Sequence, residues 1–281
     1  MKLKKIISIT NSNRHTLKIQ KSLLSKDNRV VKSILEATKK SNGRSSINGR
    51  ITVWHKGSGV KNLYRNTQFS NENENKHSLV IANCFDPNKS SFTNLNFELN
   101  NKNFFFSTAP DSVFPGSLIK NTNKLDEIRL GFRTTLKNLP TGSLIHDLTL
   151  NQKLKSKYIR SAGTYGQILE SNTKTVKIKL PSKKIIEISN DNLATLGIVS
   201  NIQHNLTVIG KAGTNRNLGI RPTTRGIAMN PVDHPHGGRG NKGMIPTTPW
   251  GRPTKSGYYL KKRKVSIVNS KKKTNSKLNK Q

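Results

Sequence analysis

The sequence predicts a mainly β protein with irregular basic extensions at both ends. Two observations carry this. Across the middle of the chain, apolar residues fall in short runs broken by Pro, Gly and Asn, with no sustained helical period. From Gly210 to Arg263, prolines recur at 222, 231, 235, 246, 249 and 253 with glycines between them. Proline fixes φ and lacks a donor, and glycine opens positive φ, so no regular helix or central strand is expected there. The pattern divides the chain into a basic N-terminal extension over 1–40, a first β unit over 41–126, a second over 127–205, and an extended basic arm over 206–281.

In the extension, Arg14 to Ile19 alternates like a short strand, and Arg29 to Thr38 fits one short amphipathic helix. Its charge favours an arm lying on RNA over a solvated tail. The next stretch carries two Gly-Arg pairs (43–44 and 49–50), then Ile51 and Val53 alternating with Thr52 and Trp54 as a strand would. Gly57 and Gly59 allow the backbone to approach something closely. Arg44, Arg50, His55, Lys61 and Arg65, interleaved with Trp54 and Tyr64, are candidate RNA contacts rather than mere solvated charges.

Leu79–Ala82 reads as a strand before the turn Asp86-Pro-Asn-Lys89. Phe97–Leu99 and Phe104–Phe106 flank Asn100–Asn103 as a hairpin, with the aromatic cluster read as core. Pro115-Gly116 turns into a strand at 117–120. Closely spaced strands of this kind suggest a small barrel. The second unit has a turn at Leu139–Ser143 and the motif Arg160-Ser-Ala-Gly-Thr-Tyr165 after a basic run. In Val176, Ile178 and Leu180, alternation with Lys177 and Lys179 gives a hairpin with Ile185–Ile188 that has one apolar and one basic face. Ala194–Val199 supplies a further strand.

The arm has almost no large apolar side chains, so it cannot build its own core, yet its order is far from low complexity. A specific sequence that cannot fold alone implies an external mould. After Asn192 the chain holds one acidic residue, Asp233, against seventeen Lys and Arg. Such a polycation suits a phosphate-lined cleft, where backbone N–H groups, Arg forks and Lys charges all find acceptors.

The bulk numbers agree. The 281 residues carry 50 Lys+Arg against 14 Asp+Glu, a formal net charge of +36, which attracts polyanions and opposes self-association. At 32% hydrophobic the chain is too polar for one large core but adequate for two small β units with arms. Cys84 is its single cysteine, so no internal disulfide or cysteine-based zinc site is possible, which suits a reducing compartment. No apolar run approaches membrane-spanning length, and Met1–Ile7 is too short in apolar residues for a signal peptide. The bias toward Lys, Asn, Ile and Ser fits an AT-rich genome.

Arg221-Pro-Thr-Thr-Arg-Gly-Ile-Ala-Met-Asn-Pro-Val-Asp-His-Pro-His-Gly-Gly238 and Thr248-Pro-Trp-Gly251 resemble the C-terminal signature of the universal large-subunit ribosomal protein L2 family. Residues 41–65, Phe85-Asp-Pro-Asn-Lys-Ser90, Arg160–Thr164 and Gly210–Arg216 are similar to the same family. Departures are Ser58 for a glycine, Lys155-Ser-Lys-Tyr158 for Gly-Lys-Gly-Gly, Asn217-Leu218 for Trp-Arg, and Arg239-Gly-Asn-Lys-Gly for an acid-containing loop. The resemblance implies an OB-fold-like barrel followed by an SH3-like barrel. It implies a structural constituent of the large subunit that binds its rRNA near the peptidyl-transferase centre and supports subunit association and tRNA binding. Expected partners are large-subunit rRNA, neighbouring subunit proteins and, across the interface, the small subunit, with no membrane and no homo-oligomer. No cofactor is expected, Mg²⁺ entering only through the rRNA. Taken with the single cysteine and the AT-rich bias, the compartment expected is a mitochondrion, with plastid and bacterial cytoplasm as alternatives.

To the residues above, the resemblance adds Arg160, Lys211, Arg216, Arg221, Arg225, Asn230, His234, His236, Arg239, Lys242, Trp250, Arg252 and Lys255 as RNA contacts. The motif Asp233-His-Pro-His236 would place two imidazoles on one side of an extended chain and so begin a metal site. No cysteine lies near it and no later acidic residue follows to complete a shell, so both histidines are read as RNA-ordering groups rather than catalysts. A DNA-reading regulator would show a groove-reading helix, and none is legible.

Overall fold

The structure is a computed structural model that describes residues 3–22, 24–25, 29–38, 42–67, 76–121, 127, 129–150, 156–238, 240 and 245–254. The chain forms two units, Met1–Ile220 and Arg221–Gln281.

The first unit is mainly β. β1 (Leu3–Lys5) pairs antiparallel with β2 (Leu17–Ile19), so the expected strand at 14–19 is shortened at its start by a turn at Arg14-His15. α1 (Arg29–Ile34) is shorter than the expected helix, because the chain leaves it for β3 (Glu36–Ala37), which pairs with β4 (Leu63–Tyr64). Then follow β5 (Lys76–Cys84), β6 (Thr93–Glu98), β7 (Phe104–Thr108), β8 (Leu118–Asn121), β9 (Arg133–Thr135) and β10 (Leu144–His146). β11 (Gly166–Ser171), β12 (Thr175–Lys179), β13 (Ile185–Ser189) and β14 (Leu193–Leu196) complete the strands, and α2 (Ala212–Asn217) follows.

Ten strands form one mixed sheet in the order β13-β12-β11-β10-β14-β9-β8-β5-β6-β7. Its neighbours are antiparallel except β8 and β9, which meet in parallel through the single pair Asn121–Arg133. That thin join separates two cores. One gathers Val31, Ala82, Cys84, Leu95 and Phe106, with Ile34 and Leu35 against it. The other is built from Leu136, Ile145, Leu148, Ile168, Val176, Ile178 and their neighbours through Leu196. This division agrees with an OB-fold-like unit followed by an SH3-like one.

Local chemistry explains the elements. The β6–β7 hairpin forms where expected, with Phe97 opposite Phe104 and ring centroids 5.1 Å apart. Only Phe106 of the aromatic run is fully buried: strand alternation puts Phe105 on the opposite face, and Phe104, on the same face as Phe106, stands at the first position of the strand and is 37% exposed. The β12–β13 hairpin buries Val176, Ile178 and Ile188 and exposes Lys179, as the alternation predicts. Two expectations fail. Residues 51–54 form no strand but a bent loop with Ile51, Val53 and Trp54 exposed, because turn bonds to Gly43 take up the N–H groups of Thr52 and Val53. A short helix also forms in the arm, at α2, in the proline-free stretch before Pro222. The helix at 29–34, assigned by sequence to the extension, buries Val31 in the first core.

Candidate nucleic-acid interface

The Gly-Arg pairs build a closed loop. The N–H groups of Thr52 and Val53 both donate to Gly43 O, at 2.9 and 3.0 Å, and Ser45 N–H donates to Arg50 O at 2.8 Å. Gly43 has φ +70°, and a Cβ there would stand 2.5 Å from Val53 O, so the turn requires glycine. The Arg44 guanidinium donates to Gly49 O at 2.9 Å across the loop, while its side chain remains exposed. Arg50, His55 and Lys61 are exposed along the same segment, His55 with φ 59°.

What Gly57 and Gly59 approach is the chain's own backbone. Gly57 N–H donates to Gly219 O at 2.7 Å and Val60 N–H to Asn217 O at 3.0 Å. A Cβ on Gly59 would sit 2.5 Å from Asn217 O, and one on Gly219 would sit 2.8 Å from Gly57 O. Two motifs some 160 residues apart are thereby welded, and α2 carries exposed Arg216 beside exposed Lys211 at its start. Asn217, one of the two residues that stand where the family pattern has Trp-Arg, serves this junction through its backbone carbonyl, while the Leu218 N–H stays within the helix end on Thr214 O.

The Phe85–Ser90 turn is a second junction. Asn88 N–H donates to the buried Asp86 carboxylate at 2.8 Å, and the Asn88 amide donates to Leu63 O at 3.0 Å. Lys89 donates to Arg65 O at 3.1 Å and lies 3.5 Å from Asp86; burial pushes its pKa down, with the Asp86 charge opposing. Ser90 Oγ accepts from Ala162 N–H at 3.1 Å, and Ser90 O from the Asn201 amide at 2.7 Å. Arg160 donates to Thr67 Oγ1 at 3.2 Å and to Ser156 O at 3.3 Å, and reaches the buried Asp147 at 3.5 Å. Arg65 is buried, and Arg160 is largely occupied within the protein. Both brace the scaffold that presents the exposed cations, a role their spacing did not reveal.

The second unit is a sequence of tight turns. Ala228 N–H donates to Arg225 O, Asp233 and His234 N–H to Asn230 O, Gly237 N–H to His234 O and Gly238 N–H to Met229 O. A Cβ on Gly237 would lie 2.2 Å from Asn230 O, and one on Gly226 would strike the His234 ring at 2.6 Å. His234 is thus buried inside the turn, and its Nδ1 accepts the His236 N–H at 3.0 Å, which leaves the proton of the neutral ring on Nε2. The His236 ring lies tilted at 59° to that of His234 with centroids 4.8 Å apart, and its Nε2 accepts Thr247 N–H at 3.1 Å. The pair clasps the segment 245–247 to the 230–238 turn. Among the described residues, no group of three His, Cys, Asp or Glu side chains gathers to hold a metal.

Beyond the clasp, Thr248 N–H donates to Arg252 O at 2.7 Å and Thr254 N–H to Pro246 O at 2.8 Å, closing a loop with Trp250 at its tip. Trp250 is 71% exposed, and Arg221, Arg225, Asn230 and Arg252 are exposed in the same unit. Exposed Ile227 and Val232 lie between the cations, and a residue survey for charge passes them over. Arg239, Lys242 and Lys255 lie outside the described residues. Guanidiniums, an exposed indole and backbone turns are what a nucleic-acid backbone and its base faces bind.

A β scaffold presenting this surface has the chemistry that suits RNA. Residues 31–120 match the model of the ribosomal proteins L2, RNA binding N-terminal domain, and residues 129–251 that of their C-terminal domain. The large ribosomal subunit protein uL2m of Reclinomonas americana is 40% identical over 270 residues, 95% of this chain and 96% of its own. The uL2 of Mycoplasmoides gallisepticum is 37% identical, covering 90% and 91%, and that of Wolbachia pipientis 40% identical, covering 92% and 94%. The chain belongs to the ribosomal protein L2 family. It is a structural, RNA-binding protein of the large ribosomal subunit and not an enzyme.

Proposed function

We propose that the chain binds large-subunit rRNA through its two β units and arm, and stabilises the region around the peptidyl-transferase centre, with subunit association and tRNA binding depending on that support. The observation that carries this is the arm: Arg221, Arg225, Arg252 and Trp250 stand exposed on turns that glycines 226 and 237 and the two histidines hold in shape. Lys and Arg neutralise phosphates and release counterions, while the turns fix where each cation stands. The histidines serve as ordering groups, since both ring acceptors are used within the protein. Mg²⁺ enters through the rRNA alone, and the net charge of +36 opposes pairing of two copies. Mitochondrion is the compartment we favour, supported by the similarity to a mitochondrial uL2m; uL2 proteins of bacteria are comparably similar.

The test is sedimentation of the tagged full chain from native lysate. Migration with large subunits and monosomes, persisting until core-stripping salt, is the expected result. A free chain, or one bound to small RNA, would overturn the proposal. Recovery of these particles from purified mitochondria, rather than plastids or bacterial cytoplasm, tests the compartment.

A further inference from the structure

The β1–β2 hairpin lies over the start of the Phe85–Ser90 turn, and between them runs an open groove of about 970 Å³. β2 is tied on its far side to the main body by the pair Leu17–Val208, with N–H to O bonds of 3.1 Å in both directions. The groove has Phe92 as a buried floor and Ile19, Phe85 and Val208 as walls. Ile7 and Ile9 stand at its open side, 78% and 82% exposed. Aliphatic side chains this bare, gathered at one concavity, mark an interaction surface.

The rim is cationic throughout. Lys4, Lys5, Lys18 and Lys21 line it, and among the described residues no acidic one does. Lys4 and Lys18 are direct cross-strand partners, an arrangement of like charges that destabilises a hairpin. Lys21 rests 3.4 Å from the centroid of the Phe85 ring, and burial together with the Lys18 charge lowers its pKa. A hairpin kept in a self-repelling state gains from an anionic partner.

Phosphates would satisfy the lysines but leave the isoleucines in water. Nucleic-acid bases seek aromatic faces or guanidinium planes. Here one Phe85 face is covered by Lys21, Phe92 is buried, and no arginine lines the rim among the described residues. The basic tail of this chain and a second copy both bring the wrong charge. We propose that the groove is the docking site for a segment of a neighbouring large-subunit protein whose apolar side chains are flanked by Asp or Glu. This rests on the proposed place of the chain in the subunit. The N-terminal hairpin then reads protein, while the arm reads RNA.

The test uses the full chain with p-benzoylphenylalanine in place of Ile7, irradiated within large subunits purified by sedimentation. Failure of the chain to sediment with subunits would strike the ribosomal reading itself, before any light is used. With the chain in place, the expected result is an adduct to one protein, at a peptide combining aliphatic residues with adjacent carboxylates. Doubling Lys18→Glu with Lys21→Glu should lower the adduct yield about tenfold, the scale of reversing two rim charges, with sedimentation unchanged. Adducts to RNA, to the same chain or to a peptide without carboxylates, no adduct, or a yield indifferent to the charge reversal would each overturn the inference.

Discussion

At the residue scale, glycines and histidines decide the geometry. Gly59 has φ +63° and packs against Asn217 O, so Gly59→Ala meets both a backbone penalty and a clash. The left-handed conformation alone costs roughly 1–2 kcal/mol in an L residue. We expect the urea midpoint of the full chain to fall by at least that equivalent, and an unchanged midpoint would show that the weld between residues 57–60 and 217–220 does not form. His146 makes a different argument. It is fully buried, its Nδ1 lies 3.0 Å from Gly197 O, and burial lowers its pKa below 6.5 against the opposing charge of Asp147. The unfolded chain takes up this proton near pH 6.5 while the folded ring resists it. Stability is therefore full above pH 6.5 and declines below it, by at most about 1.4 kcal/mol per pH unit until the folded ring titrates. Urea midpoints at pH 7.5 and 5.5 should show the decline, and His146→Gln should flatten it.

At the element scale, the β12–β13 hairpin shows how far alternation reaches. Interleaved lysines mark Val176, Ile178 and Ile188 as one face, and that face is buried. Ile178→Ala should cost about 2–5 kcal/mol, whereas exposed Lys179→Ala should stay within about 0.5 kcal/mol, both read by denaturant titration. Equal effects would mean that the hairpin does not use this face. Residues 51–54 show where alternation misleads. Ile51-Thr-Val-Trp54 has strand-like composition, but a strand needs a partner edge, and the bonds to Gly43 fold the segment back on itself. The arm gives the converse case. From Pro222 onward its prolines leave no α-helix or multi-residue strand among the described residues, only a single 3-10 turn at Gly226–Ala228, yet the order of its turns comes from glycines admitting close backbone approach and from imidazoles accepting N–H groups. Composition reports the absence of a core and is silent on such bonds.

At the scale of the whole molecule, the separation into Met1–Ile220 and Arg221–Gln281 gives charge a division of labour. A chain ending at Ile220 should keep binding rRNA but with a shallower dependence of log affinity on log salt, by roughly 0.7–0.9 for each phosphate that the arm neutralises. Filter-binding titrations across salt measure this, and an unaltered slope would remove the arm from the RNA interface. By itself, the sequence determined the β class, the turns, the cationic surface and the family signature, because these rest on local spacing, side-chain type and net charge. Tertiary structure alone decided that Arg65 and Arg160 brace the scaffold, that the Gly57–Gly59 segment meets residues 217–219, and that the N-terminal hairpin opens a lysine-rimmed apolar groove. Each of these joins residues far apart in the chain, and neither periodicity nor composition carries information on which distant backbone will come to lie within hydrogen-bonding distance.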